Sequence, residues 1–198
     1  MKFKLVLHAT LAILCAASLA AASGEDQPKG DDVVHAVSGT VKKIDSGAKT
    51  VAIETSDGGE HIFKYSDTTV VHASKDVAHG AKTGSVDTYM AGKEGTHVVV
   101  HYTEKGAAKT ATGIDDLGRE TVKESKGTVT HVDKAARTVT VKTGDGVEDT
   151  YHVAKDATVD TEHGVAKGTT WTIKEGDKVT VHYSEKAGKK VVHFVKWL

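Results

Sequence analysis

One cysteine, one proline and two methionines are found in 198 residues, and aromatic residues make up only 5%. So few thiols exclude a disulfide framework and any Cys-x-x-Cys metal or redox motif. The near absence of proline excludes a polyproline or low-complexity linker chain. Lysine and arginine number 26 against 27 acidic residues, a formal charge of −1, so no excess of either sign advertises a nucleic-acid or membrane-surface partner. Hydrophobic residues at 38% and charged ones at 27% suit a folded chain with a modest core. What is abundant is glycine (20 residues) and, unusually, histidine (12 residues).

Residues Met1 to Ala22 read as a secretory signal peptide. Lys2 and Lys4 supply the basic start, Leu5 to Leu19 the apolar stretch, and Ala20-Ala21-Ala22 the small residues a signal peptidase requires, with cleavage before Ser23. The apolar run is short for a spanning anchor and has no stop-transfer flank. Leu14 is too large for the position before a lipidated cysteine, which disfavours lipidation of Cys15. Cleavage removes that cysteine and both lysines, leaving 24 basic against 27 acidic residues, a net charge of −3 with eleven histidines. The expected destination is the periplasm or the exterior. Residues 23–34 form a polar lead-in that holds Pro28.

The strongest pattern is an internal duplication. Gly39-Thr40-Val41-x-x-Ile44-Asp45 returns as Gly127-Thr128-Val129-x-x-Val132-Asp133, a shift of 88 that also carries Asp57-Gly58 onto Asp145-Gly146. Further on, Val100-His101-Tyr102 returns as Val181-His182-Tyr183 and Glu104-Lys105 as Glu185-Lys186, at a shift of 81. The first copy therefore holds seven extra residues, expected as a longer loop within 73–92. Val51 and Ile53, like Val139 and Val141, alternate with polar neighbours, the two-residue period of a half-buried strand. Asp-Gly turns separate these strands from the next, and no segment sustains a helical period. About five short strands per copy predict an all-β chain of two tandem small barrels, because closure removes sheet edges. The expected boundaries are 35–115 for the first barrel, 116–126 for a linker and 127–198 for the second.

The order G-T-V-x-x-[IV]-D, T-V-x-[IV], a D-G turn and then E-G-D-K-V-T-V-H-Y resembles a family of small exported bacterial β-barrel domains. More distantly it is similar to the periplasmic copper chaperones of the CusF type, which share an OB-like barrel. The resemblance implies that fold in both copies. Those chaperones bind copper through a histidine and two methionines beneath a tryptophan. Here Met90 is the sole methionine after cleavage and Trp171 stands apart from it, so that ligand set does not carry over.

Histidine is the remaining chemical signal. His97 and His101 share one strand face, roughly 13 Å apart at about 3.3 Å per residue, too far to share an ion directly. His101 and His182 are corresponding positions, and so are His79 and His163 in loops. Imidazole suits copper or zinc, which makes His97, His101, His182 and His193 the candidate metal ligands. The plainer expectation is that most histidines are surface residues. No G-x-S-x-G elbow, glycine-rich phosphate loop or coherent acid–base pair is present, so no enzyme is expected and no catalytic or cofactor-binding residue is assigned. The function expected is a non-enzymatic exported binding module for an envelope component or protein, with no nucleic-acid partner. The alternative is a metal-binding protein using surface histidines. Full protonation of eleven histidines would take the mature charge to roughly +8, so binding to anionic material is expected to strengthen between about pH 7 and 5.5.

Overall fold

The computed structural model describes residues 33–72, 84–167 and 172–198; the signal segment, His79 and Trp171 lie outside them. Its strands are β1 (His35–Asp45), β2 (Thr50–Glu54), β3 (Glu60–Lys64), β4 (Val70–His72), β5 (His97–Lys105) and β6 (Ala108–Gly118) in the first copy. The second copy holds β7 (Lys123–Asp133), β8 (Thr138–Thr143), β9 (Glu148–Thr161), β10 (Gly164–Lys167), β11 (Lys178–Lys186) and β12 (Lys189–Trp197). A single helical turn, α1 (Val86–Tyr89), precedes β5.

Each copy closes into a barrel. In the first, β3-β2-β1-β5-β6 are hydrogen-bonded in order, and the parallel pairing of β3 with β6 shuts the ring. In the second, β9, β8, β7, β11 and β12 repeat this order, with parallel β9–β12 pairing in the position of β3–β6. The 88-residue shift lays β3 and β4 end to end onto β9, so one 14-residue strand does the work of two. The chain is all-β in two tandem OB-like barrels, as the duplication predicts.

The repeated motifs mark places where the ladder is irregular. Both G-T-V segments precede a bulge, between Val41 and Lys43 on β1 and between Val129 and His131 on β7. Both V-H-Y segments face one on the neighbouring strand: Thr112 of β6 is the extra residue opposite His101 and Tyr102, and His193 of β12 the extra residue opposite His182 and Tyr183. Along β5 and β11 the alternation is unbroken, so Tyr102 and Tyr183 point to their barrel cores with Val100 and Val181, while His101 and His182 stay on the outer faces.

Two separate cores result. Val41, Ile53, Phe63, Val98, Val100 and Ile114 fill the first barrel, and Val129, Val141, Tyr151, Val181 and Val195 the second. The extra length of the first copy is not all loop. Ser85 caps α1, and Val86 and Met90 plug the end of the barrel core, both 0–1% exposed. The expected linker is also shorter than 116–126: β6 runs to Gly118 and β7 starts at Lys123, leaving four residues, 119–122, between strands.

The barrels touch. Ala36 and Val99 of the first and Phe194 of the second form a third apolar cluster, each at most 1% exposed, flanked by Leu117 and Val165. The Val165 amide donates to the Val34 carbonyl (2.8 Å), so the chain entering β1 lies along β10 of the other barrel. This approach requires glycine at 164, where a Cβ would meet the Val34 carbonyl oxygen and Val33 Cγ1 at 2.8 Å and φ is +99°. Because each barrel has its own core, residues 123–198 produced alone are expected to give β-type circular dichroism and a cooperative melt. Uncovering Phe194 should make this fragment bind a hydrophobic dye that the full chain does not. A random-coil spectrum would mean that the barrels fold only as a pair.

Candidate functional site

The outer face of β5 presents His97, Val99 and His101, and Val99 is the residue that meets the second barrel. The histidine pair predicted to share a strand face therefore brackets the junction between barrels instead of lying on open surface. His97 Nδ1 is 3.2 Å from Thr40 Oγ1, and burial pushes its pKa down. His101, 7% exposed, turns to Asp115.

Asp115 is held between two imidazoles. His101 Nε2 donates to one carboxylate oxygen (2.7 Å) and His72 Nδ1 to the other (2.6 Å), donors because an ionised carboxylate only accepts. Burial would raise the Asp115 pKa, but the bonds from His101 and His72 outweigh it and hold the group far below the usual carboxylate range. His72 and Asp115 are register partners across the parallel β4–β6 ladder. The second barrel keeps the pair with its sign reversed: Asp160 on β9 faces Lys196 on β12, at 2.7 Å. Asp160, 1% exposed, also accepts from His35 Nδ1 of the first barrel (3.2 Å), which ties the two barrels by a hydrogen bond as well as by apolar contact.

Beside the apolar junction lie two adjoining hollows that share Ser38, Thr55, Ser56, Glu124 and His182 in their walls. The smaller, about 160 Å³, is bounded by Thr40 and His97 from one barrel and Glu124 and His182 from the other. The larger, about 300 Å³, continues past Ser38, Ser56 and Tyr102 toward Thr180, Phe194 and Lys196. Together they make a cleft that neither barrel forms alone. The His182 ring lies 5.2 Å from that of Phe194, and burial pushes its pKa down to about 4 against the pull of Glu124. Glu124 accepts a hydrogen bond from Ser56 Oγ across the junction and lies 3.3 Å from Lys126. Burial works to raise the Glu124 pKa, and these partners together with His182 bring it below its ordinary value.

Of the four candidate metal ligands, His97 and His182 come to one hollow. His101 is engaged by Asp115, and His193, 6% exposed, bonds through Nε2 to Ser184 Oγ (2.8 Å) on the far side of β12. Among the described residues no three histidine, aspartate or glutamate side chains gather closely enough to hold a metal ion. The expectation of surface histidines holds for His131, His152 and His163, which are exposed, but not for His101, His182 and His193. Since His182 stays neutral from pH 7 to 5.5, the charge swing over that range falls short of the full histidine count. Trp197 packs against the second core, and its Nε1 is buried without a hydrogen-bond partner among the described residues. The cleft residues Ser38, Ser56, Glu124 and Thr180 carry no motif; only the juxtaposition of the two copies brings them together.

Among the described residues no helix is long and apolar enough to cross a membrane. No protein-family model matches the chain, and no curated protein is significantly similar to it in sequence. Solved structures do match in part. Apo-CusF residues 6–88 from Escherichia coli is 14% identical, covering 40% of this chain and 89% of that one, with a TM-score of 0.32. The crystal structure of Ag(I)CusF is 14% identical over 39% of this chain and 99% of that one, with a TM-score of 0.31.

Proposed function

We propose that this chain is a non-enzymatic exported binding module that holds its ligand in the cleft between the two barrels. The observation that carries this reading is that the two hollows at the junction share Ser38, Thr55, Ser56, Glu124 and His182 in their walls, residues drawn from both barrels. A volume of about 300 Å³ falls at the small end of the range for small-molecule sites. The signal-like segment Met1 to Ala22 supports a ligand in the periplasm or outside, on an envelope component or on another exported protein. Ser56 is exposed and borders both hollows, so Ser56→Trp obstructs the cleft without entering either core. Retention of the full chain on an isolated bacterial envelope fraction is expected to fall at least tenfold in this variant. Equal retention of the two proteins would remove the cleft from the interaction.

A second reading, binding of zinc or copper, is favoured by His97, His182 and Glu124 bordering one hollow. It requires those side chains to swing together. Elemental analysis of the native protein decides it, a stoichiometric metal supporting this reading and its absence removing it.

A further inference from the structure

The chemistry of the cleft wall selects among ligands. Its charged groups are already engaged with one another: Glu124 with Ser56 and Lys126, Lys196 with Asp160, and Asp57 with Thr55 Oγ1 and the Gly59 amide. A small anion or cation would have to break these pairs to gain a partner. The neutral groups are different. Ser38, Tyr102, Thr180 and His182 border the larger hollow, and their side chains make no hydrogen bond to any described residue. The single fully buried orphan among described side chains is Trp197 Nε1, so the polar atoms of these four residues each keep some exposure. Two come from each barrel.

A hydroxyl both donates and accepts, and a neutral imidazole offers one nitrogen of each kind. Burial of His182 keeps it in that neutral form at physiological pH. Val37 and Leu198 are apolar residues bordering the same hollow; Phe194 borders it too but is only 1% exposed. Uncharged hydrogen-bonding residues beside apolar ones complement a molecule with hydroxyl edges and a C–H face. Resting on the cleft reading above, we infer that the ligand is a neutral saccharide, with Ser38 and Tyr102 on one side and Thr180 and His182 on the other.

The test is a titration of the uniformly ¹⁵N-labelled full chain at pH 7, followed by amide shifts, with four probes. These are cellobiose, N,N′-diacetylchitobiose, inorganic phosphate and zinc chloride. A neutral disaccharide is expected to move the amides of Ser38, Tyr102, Thr180 and His182 saturably. Tyr102→Phe, which keeps the ring that packs in the first core, and Ser38→Ala should each weaken that response about three- to tenfold, the worth of one net hydrogen bond. An unchanged remainder of the spectrum would verify that the variants fold. Shifts at these amides with phosphate or zinc, and none with either sugar, would overturn the saccharide assignment and leave the cleft standing. If no probe moves them, or if sugars move amides elsewhere, both the assignment and the cleft reading fall.

Discussion

Gly127→Ala is expected to destabilise the protein by about 3 kcal/mol or more, a larger loss than its bland chemistry suggests. A Cβ at residue 127 would lie 2.3 Å from the Lys142 carbonyl oxygen and 2.7 Å from Val141 Cγ1. The first of these is backbone in the paired strand β8, so it cannot rotate aside, and Val141 is fully buried. The same collision recurs at the duplicated position, where a Cβ on Gly39 would meet the Glu54 carbonyl oxygen at 2.7 Å. Gly39→Ala should therefore also destabilise, by somewhat less. Gly144 supplies the control: nothing lies within 4 Å of its virtual Cβ, so Gly144→Ala should be neutral within about 0.5 kcal/mol. Urea denaturation of the three variants checks the order. If Gly127→Ala and Gly144→Ala melt alike, close strand approach is not what the repeated glycine serves.

That glycine illustrates what could be read without coordinates. The duplication, the alternating Val51-x-Ile53 and Val139-x-Val141, and the Asp-Gly turns report local geometry, and local geometry was enough for an all-β chain of two small barrels. The bulges that follow G-T-V and that face V-H-Y were hidden, because a bulge is a property of two strands and G-T-V meets its partner only once the chain has folded. Residues 116–126 misled for a related reason. Charge and glycine there resemble a linker, whereas Asp116 is 3% exposed at the end of β6, where Lys93 reaches it at 2.7 Å. The cleft was the least legible feature. Ser38, Ser56, Glu124 and Thr180 are ordinary strand and turn residues, and their chemistry arises only when Phe194 packs on Ala36 and Val99 and sets one barrel against the other. Histidine spacing placed His97 and His101 on one strand face, but it could not show that this face borders the junction.

Acid should loosen that region, and His182 sets the direction. Its pKa is pushed down to about 4 in the folded chain, against 6.5 for a solvated imidazole. A depressed histidine binds its proton more weakly when folded than when unfolded. It therefore stabilises the fold fully above pH 6.5, and this contribution is lost as pH falls from 6.5 toward 4. The loss expected between pH 7 and 4.5 is about 2–3 kcal/mol from this one group. Glu124 on the neighbouring strand opposes the loss by attracting the imidazolium, while Lys126 and Lys196 add to it by repulsion. His97, in the same hollow and also depressed by burial, acts in the same direction as His182. Asp115 titrates below this window, because its two imidazole partners keep it ionised throughout. Urea melts at pH 7, 5.5 and 4.5 should show the decline, and His182→Gln, which carries no charge at any of these values, should flatten most of it. The Val165 amide, bonded across the junction to Val34, should lose protection from hydrogen exchange before Val100 and Val181 inside the barrels do. If His182→Gln declines as steeply as the parent chain, the acid sensitivity lies in the carboxylates and not at the junction.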